Sequence, residues 1–129
     1  MKKRIQGMNW IRKEKRLAIY VRDGMSCSYC GATVEDGAQL SLDHIVPYSL
    51  GGQNKESNLI TCCLKCNSSR GNRPVEEFAK AVAGYVNHGI EASDILAYIS
   101  RQTALKLAPF KKEAKELMER RASWAECLK

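Results

Sequence analysis

Two pairs, Cys27-Ser28-Tyr29-Cys30 and Cys63-Leu64-Lys65-Cys66, stand on either side of residues 31–62, and Asn67 follows the last cysteine directly. Each Cys-x-x-Cys turn offers two sulfurs to one ion at about 2.3 Å, so two such turns supply the four thiolates of a tetrahedral zinc site. One pair alone is a weak signal; two at this spacing are a zinc-site signature. A structural zinc ion stabilises a small domain by about 10–16 kcal/mol, more than a core of this size supplies alone. The expectation is a fold held together by Zn²⁺ on Cys27, Cys30, Cys63 and Cys66. Cys62 could stand in for its neighbour, but only Cys63 keeps the two-residue gap to Cys66. Cys127, isolated near the C-terminus, reads as a small core residue.

A chain of 129 residues fits one domain with an appended helical segment. Its hydrophobic fraction of 44% and charged fraction of 27% are ordinary for a folded protein. Lysine and arginine number 21 against 14 acidic residues, a net charge of +7 that favours negatively charged partners, nucleic acid first among them. Much of that charge lies early, in Lys2, Lys3, Arg4, Arg12, Lys13, Lys15 and Arg16, a run that a solvated helix face would also explain. No apolar stretch of signal-peptide or membrane-span length is present, so no membrane partner and a cytoplasmic location are expected. In that reducing setting the cysteines serve as metal ligands rather than as disulfides.

Working outward, Trp10, Leu17, Tyr20 and Val21 predict a basic amphipathic helix over 9–23, with Asn9 as N-cap and Gly24 as its stop. Leu40 to Val46 alternates apolar residues at its start and ends at Pro47, which predicts a strand. Residues 49–58 are dense in turn formers and predict a loop, 59–61 a returning strand, and 63–69 a short helix. Pro74 opens a further helix with Phe78, Ala81, Val82 and Tyr85 on one face, and Gly89 lies beyond its end. Ser93 or Asp94 would cap another through Ile95, Leu96, Ile99 and Leu105, stopped by Pro109. A last helix runs from Phe110 through Ala114, Leu117, Trp124 and Leu128.

Taken singly, Asp43, His44 and Asn58 have ordinary structural readings: a turn cap, a core histidine and a loop asparagine. Their order is more specific. Leu42-Asp43-His44-Ile45-Val46-Pro47, then Gly51-Gly52, Asn58-Leu59, and Cys63-x-x-Cys66-Asn67-x-x-Arg70-Gly71-Asn72-Arg73 strongly resembles the zinc-stapled bacterial and phage branch of the HNH endonuclease family. The likeness spans about residues 17–74 and includes Arg22-Asp23-Gly24 and Tyr29-Cys30-Gly31. The likeness does not extend to the C-terminal 50 or so residues.

The resemblance implies an α+β fold: a small ββα-metal core stapled by the four-cysteine zinc site, with an N-terminal basic helix and a C-terminal helical extension. It implies a nuclease domain over 1–76 and an extension over 77–129 packed on the same domain. By the same match the chain is a DNA endonuclease in which His44 is the general base, a role suited to an imidazole titrating near neutral pH. Asp43 and Asn67 would ligate one divalent cation, and Asn58 would fix the loop and orient His44. Cleavage would leave 5′-phosphate and 3′-hydroxyl ends. Position 67 is Asn where many members have His; a carboxylate and an amide oxygen are hard donors, which favours Mg²⁺ or Mn²⁺. Arg70 and Arg73 would clamp phosphates beside the cut. The C-terminal helices could form a homodimer face or dock a phage or host protein. A non-catalytic zinc-dependent nucleic-acid-binding module remains the alternative, because it would keep the cysteines and the charge without needing Asp43-His44 beside Asn67.

Overall fold

Leu40–His44 forms strand β1, which pairs antiparallel with β2, Leu59–Cys63, in a register that sets Leu40 opposite Cys63 and His44 opposite Leu59. A computed structural model describes the backbone of residues 10–86 and 89–127 and the side chains up to residue 120. In it helix α1 (Lys13–Arg22) precedes the hairpin, and α2 (Leu64–Arg70), α3 (Val75–Val86), α4 (Ala92–Ala104) and α5 (Ala108–Cys127) follow. The expected order of strand, loop, strand and helix is what forms, in an α+β fold. Among the described residues no helix is long and apolar enough to cross a membrane.

Several boundaries differ from expectation, each for a local reason. β1 stops at His44 rather than Val46, because its partner begins at Leu59 and the next amides turn to Asn58: Ile45 N donates to Asn58 O and Val46 N to Asn58 Oδ1. β2 runs on through Cys63, all five of its residues buried, and Cys63 then becomes the N-cap of α2, its sulfur accepting from Cys66 N. Helix α1 begins at Lys13, after an Arg12 cap with no side-chain bond; the expected cap, Asn9, lies outside the described residues. Its buried face is Ala18, Ile19 and Arg22. The arginine is tolerated there because Asp23 accepts two of its N–H groups, at 2.8 and 3.0 Å.

Helix α4 is capped by Glu91, with Asp94 at the third position closing a reciprocal capping box, so neither Ser93 nor Asp94 is the cap itself. Pro109 does not end α4; it sits in the first turn of α5, where a missing N–H costs no hydrogen bond. On α3 the inner face is Val75, Phe78, Ala79 and Val82, while Tyr85 is exposed. Leu105, beyond the end of α4, is exposed too. The Trp124 side chain and Leu128 lie outside what is described.

Two apolar clusters result. Phe78, Val82, Ile95 and Ile99 of α3 and α4 pack with Cys27, Tyr29, Ile60 and Cys66, so both helices share a core with the cysteine loops. Ala18 and Ile19 of α1 pack with Leu42, Leu59, Leu107 and Ala114 on the other side of the hairpin. The strands are thus covered on both faces, and their turn end is left to carry polar groups.

Candidate functional site

The four cysteines come from three places: Cys27 and Cys30 from the loop after α1, Cys63 from the end of β2 and Cys66 from α2. Their sulfurs all lie within 4.8 Å of one another, with Cys30 and Cys63 3.9 Å apart. Ligands at about 2.3 Å from a tetrahedral ion are about 3.8 Å apart, so the cluster fits a metal such as zinc. In each pair the later backbone N–H points at the earlier sulfur: Cys30 N to Cys27 Sγ and Cys66 N to Cys63 Sγ, both 3.4 Å. The Cys27 thiol is pulled down to about 5, chiefly by a hydrogen bond from Cys66. Burial pushes Cys30 up to about 11. Crowded sulfurs divide in this way when no cation compensates them. Cys62 is turned elsewhere, its sulfur 3.5 Å from Ser41 Oγ.

Asp43 and His44 end β1, and α2 lies across that strand, so Asn67 faces them. The three side chains line one open cleft of about 210 Å³, together with Tyr48, Ser49 and Asn72. Asn67 Nδ2 donates to Ser41 Oγ at 3.0 Å and to the Leu42 carbonyl at 3.3 Å, which leaves its oxygen as the uncommitted amide atom. Asp43 is buried, and its hydrogen bonds fall on one oxygen: Tyr29 Oη and Arg70 Nη1 both donate to Oδ2 at 2.6 Å. Burial raises the carboxyl pKa, while Arg70 and Tyr29 pull it down. Among the described residues, Oδ1 of Asp43 and Oδ1 of Asn67 thus accept no hydrogen bond, and a carboxylate and an amide oxygen are both hard donors.

The loop opposite is set by two glycines and an amide. Gly51 has φ +94°, and a Cβ on Gly52 would lie 1.7 Å from the Val46 carbonyl oxygen, so this turn excludes side chains. Asn58 closes it: Oδ1 accepts from Val46 N at 2.9 Å, and Nδ2 donates to Gln53 O at 2.9 Å and to Val46 O at 3.2 Å.

Residues 27–82 match the family described as HNH endonuclease. This segment belongs to the HNH endonuclease family. Two relatives extend the likeness: a CRISPR-associated endonuclease Cas9 of Corynebacterium diphtheriae, 32% identical over 106 residues, and a Cas9 of Actinomyces naeslundii, 38% identical over 66 residues. The first alignment covers 77% of this chain and the second 50%. The chain spans only 9% and 6% of the lengths of those relatives.

Within the HNH segment, the structure departs from the sequence expectation at two residues, Arg70 and Asn58. Arg70, expected on phosphate, is 1% exposed and bound inward, to Asp43 and to the carbonyls of His44, Ile45 and Arg73. A guanidinium with four internal acceptors is not offered to a ligand. Arg73 is half-buried, donating to Ser69 O at 2.7 Å and lying 5.1 Å over the Phe78 ring. The second departure is Asn58, whose amide holds the loop but does not meet the His44 ring. That contact is made by Asn54, whose Oδ1 lies 2.8 Å from His44 Nε2.

Tyr29, Asn54, Tyr48 and Trp10, whose ring centroid is 4.9 Å from that of His44, are among the site neighbours to which the sequence assigns no role there. Only Tyr29 had a signal, its place inside the first cysteine pair.

Proposed function

We propose that the chain is a metal-dependent DNA endonuclease that hydrolyses phosphodiester bonds, with His44 as general base and one divalent cation, Mg²⁺ or Mn²⁺, on Asp43 and Asn67. The observation that carries this reading is the convergence of Asp43, His44 and Asn67 on one cleft beside a zinc-type cysteine cluster. Both relatives are named as endonucleases, which supports the same activity here.

Asp43 and Asn67 would hold the cation, which would supply charge neutralisation at the scissile phosphate and the departing 3′-oxygen. His44 would take the proton of the attacking water, while Arg70 and Tyr29, both donating to Oδ2 of Asp43, oppose the rise that burial imposes on its carboxyl pKa. Zn²⁺ on the four cysteines would hold the Cys27–Cys30 loop to α2, and so hold Tyr29 and Asn67 on either side of Asp43. DNA would be held mostly through its backbone, with affinity falling steeply as salt rises. We read 77–129 as an extension of the 1–76 nuclease unit rather than a second domain; the core shared by Phe78, Ile95 and Ile99 with Tyr29 and Ile60 supports this.

The test is a duplex labelled on both strands and incubated with the full chain and Mn²⁺ or Mg²⁺. Products with 5′-phosphate and 3′-hydroxyl ends that require either ion are expected. Cleavage that survives thorough removal of both ions, or that only nickel or zinc restores, would refute the assignment of the cation.

A further inference from the structure

We propose that Asn54 is a positioning residue that fixes which nitrogen of His44 carries the proton. The proposal rests on His44 acting as the base, and it adds the identity of the nitrogen that accepts. Asn54 Oδ1 lies 2.8 Å from His44 Nε2. An amide oxygen can only accept, so this contact forms only when Nε2 bears hydrogen, and in the neutral ring the lone pair is then on Nδ1. Asn54 selects the tautomer with Nδ1 as the proton acceptor.

The loop is built to hold that oxygen in place. Lys15 Nζ donates to the Asn54 carbonyl at 3.1 Å and lies 3.5 Å from Glu56 Oε2, so α1 grips the loop on both sides of Lys55. Asn58 Nδ2 donates to the carbonyl of the preceding residue, Gln53, at 2.9 Å. The imidazole is flanked by Trp10, at 4.9 Å between ring centroids, and by Tyr48, at 5.9 Å, which limits how it can swing away from Asn54. The work expected of one asparagine is thus divided: Asn58 fixes the loop and Asn54 reads out on the ring.

The direct test is the ¹⁵N spectrum of the histidine rings in the full chain, at a pH of about 8 where imidazole is neutral. The sequence has two histidines, so His88→Gln assigns the His44 signals. Wild type should show a protonated Nε2 and an unprotonated Nδ1. Asn54→Ala should give a mixture of tautomers and lower kcat by about tenfold or more, with KM for DNA little changed. Asn54→Asp, which keeps an acceptor oxygen, should retain the wild-type tautomer and answers for Ala if that variant folds poorly. A mixed or Nδ1–H ring in wild type, or an unchanged tautomer in a folded Asn54→Ala, would overturn the proposal. If the tautomer shifts as expected while Asn54→Ala and His44→Ala both cleave normally, the positioning role stands and the assignment of His44 as base falls.

Discussion

Arg70 Nη1 lies 2.6 Å from Asp43 Oδ2, and the two side chains are 1% and 8% exposed. The same guanidinium donates to the carbonyls of His44, Ile45 and Arg73. One side chain from the end of α2 therefore closes the strand end that carries the site.

Arg70→Ala should destabilise the fold by about 3–5 kcal/mol, because it leaves a buried carboxylate without its partner. Arg70→Lys should recover little, since one ammonium cannot span acceptors that a planar fork reaches together. Denaturant unfolding checks both. A phosphate-clamping arginine would behave otherwise: its removal would leave stability intact and lower the salt slope of DNA binding by about one.

Tyr29→Phe keeps the ring against Phe78, 4.9 Å away and edge-on, and removes only the hydroxyl bound to Asp43. A hydrogen bond to a charged group contributes about 1.5–3 kcal/mol, so a loss of that order is expected in unfolding experiments. Because the bond holds one carboxylate oxygen, the Mn²⁺ concentration for half-maximal cleavage should rise more than kcat falls. Wild-type metal dependence in a folded Tyr29→Phe would count against this role of the hydroxyl.

Loading of the cysteine cluster should weaken as pH falls. Without an ion the Cys27 thiol sits near about 5 and Cys30 near about 11, so at neutral pH Cys27 is already ionised while Cys30 keeps its proton. A metal must displace that proton and the one on Cys66, whose thiol is raised as well, first by its hydrogen bond to Cys27 and then by burial. In the loaded protein the thiols act as groups with depressed pKa, so the stability they confer is present at high pH and lost on acidification. Between these two values each pH unit should change zinc affinity by about tenfold per displaced proton. Competition with a chromophoric chelator at several pH values gives the slope, and a flat response would contradict it.

Gly52→Ala should be more damaging than its size suggests. The added methyl would meet the Val46 carbonyl at 1.7 Å, and a backbone atom cannot step aside as a side-chain end can. A loss of about 1–3 kcal/mol or more is expected. Cleavage should fall with it, because the displaced loop carries Asn54 and Asn58. A thermal melt within error of wild type would contradict this packing.

The hairpin and the cysteine cluster are legible because local chemistry fixes them, whereas Asp43, His44 and Asn67 stand out only through the family resemblance. Two-residue cysteine gaps set ligand geometry, and alternation followed by Pro47 sets a strand. Long-range choices were not readable. Whether Arg70 turns outward to a phosphate or inward depends on Asp43, 27 positions away, and on where Tyr29 brings a second donor to that carboxylate. Asn54 and Asn58 are equivalent as letters in a turn-rich loop; only the folded path decides which amide meets the ring. Helix ends were misread where a less common cap was used, as at Glu91, or where proline opens a helix instead of ending one, as at Pro109.

If this cleft cuts DNA, His44 is the group whose loss should stop it. Conversion of supercoiled plasmid by wild type and by His44→Ala, each with Mn²⁺ and at matched folding, tests it most directly. Wild type should nick or linearise the plasmid, and His44→Ala should lose about a hundredfold or more of that rate while still binding DNA. Equal conversion by both proteins would contradict it and leave the chain as a zinc-dependent nucleic-acid-binding module.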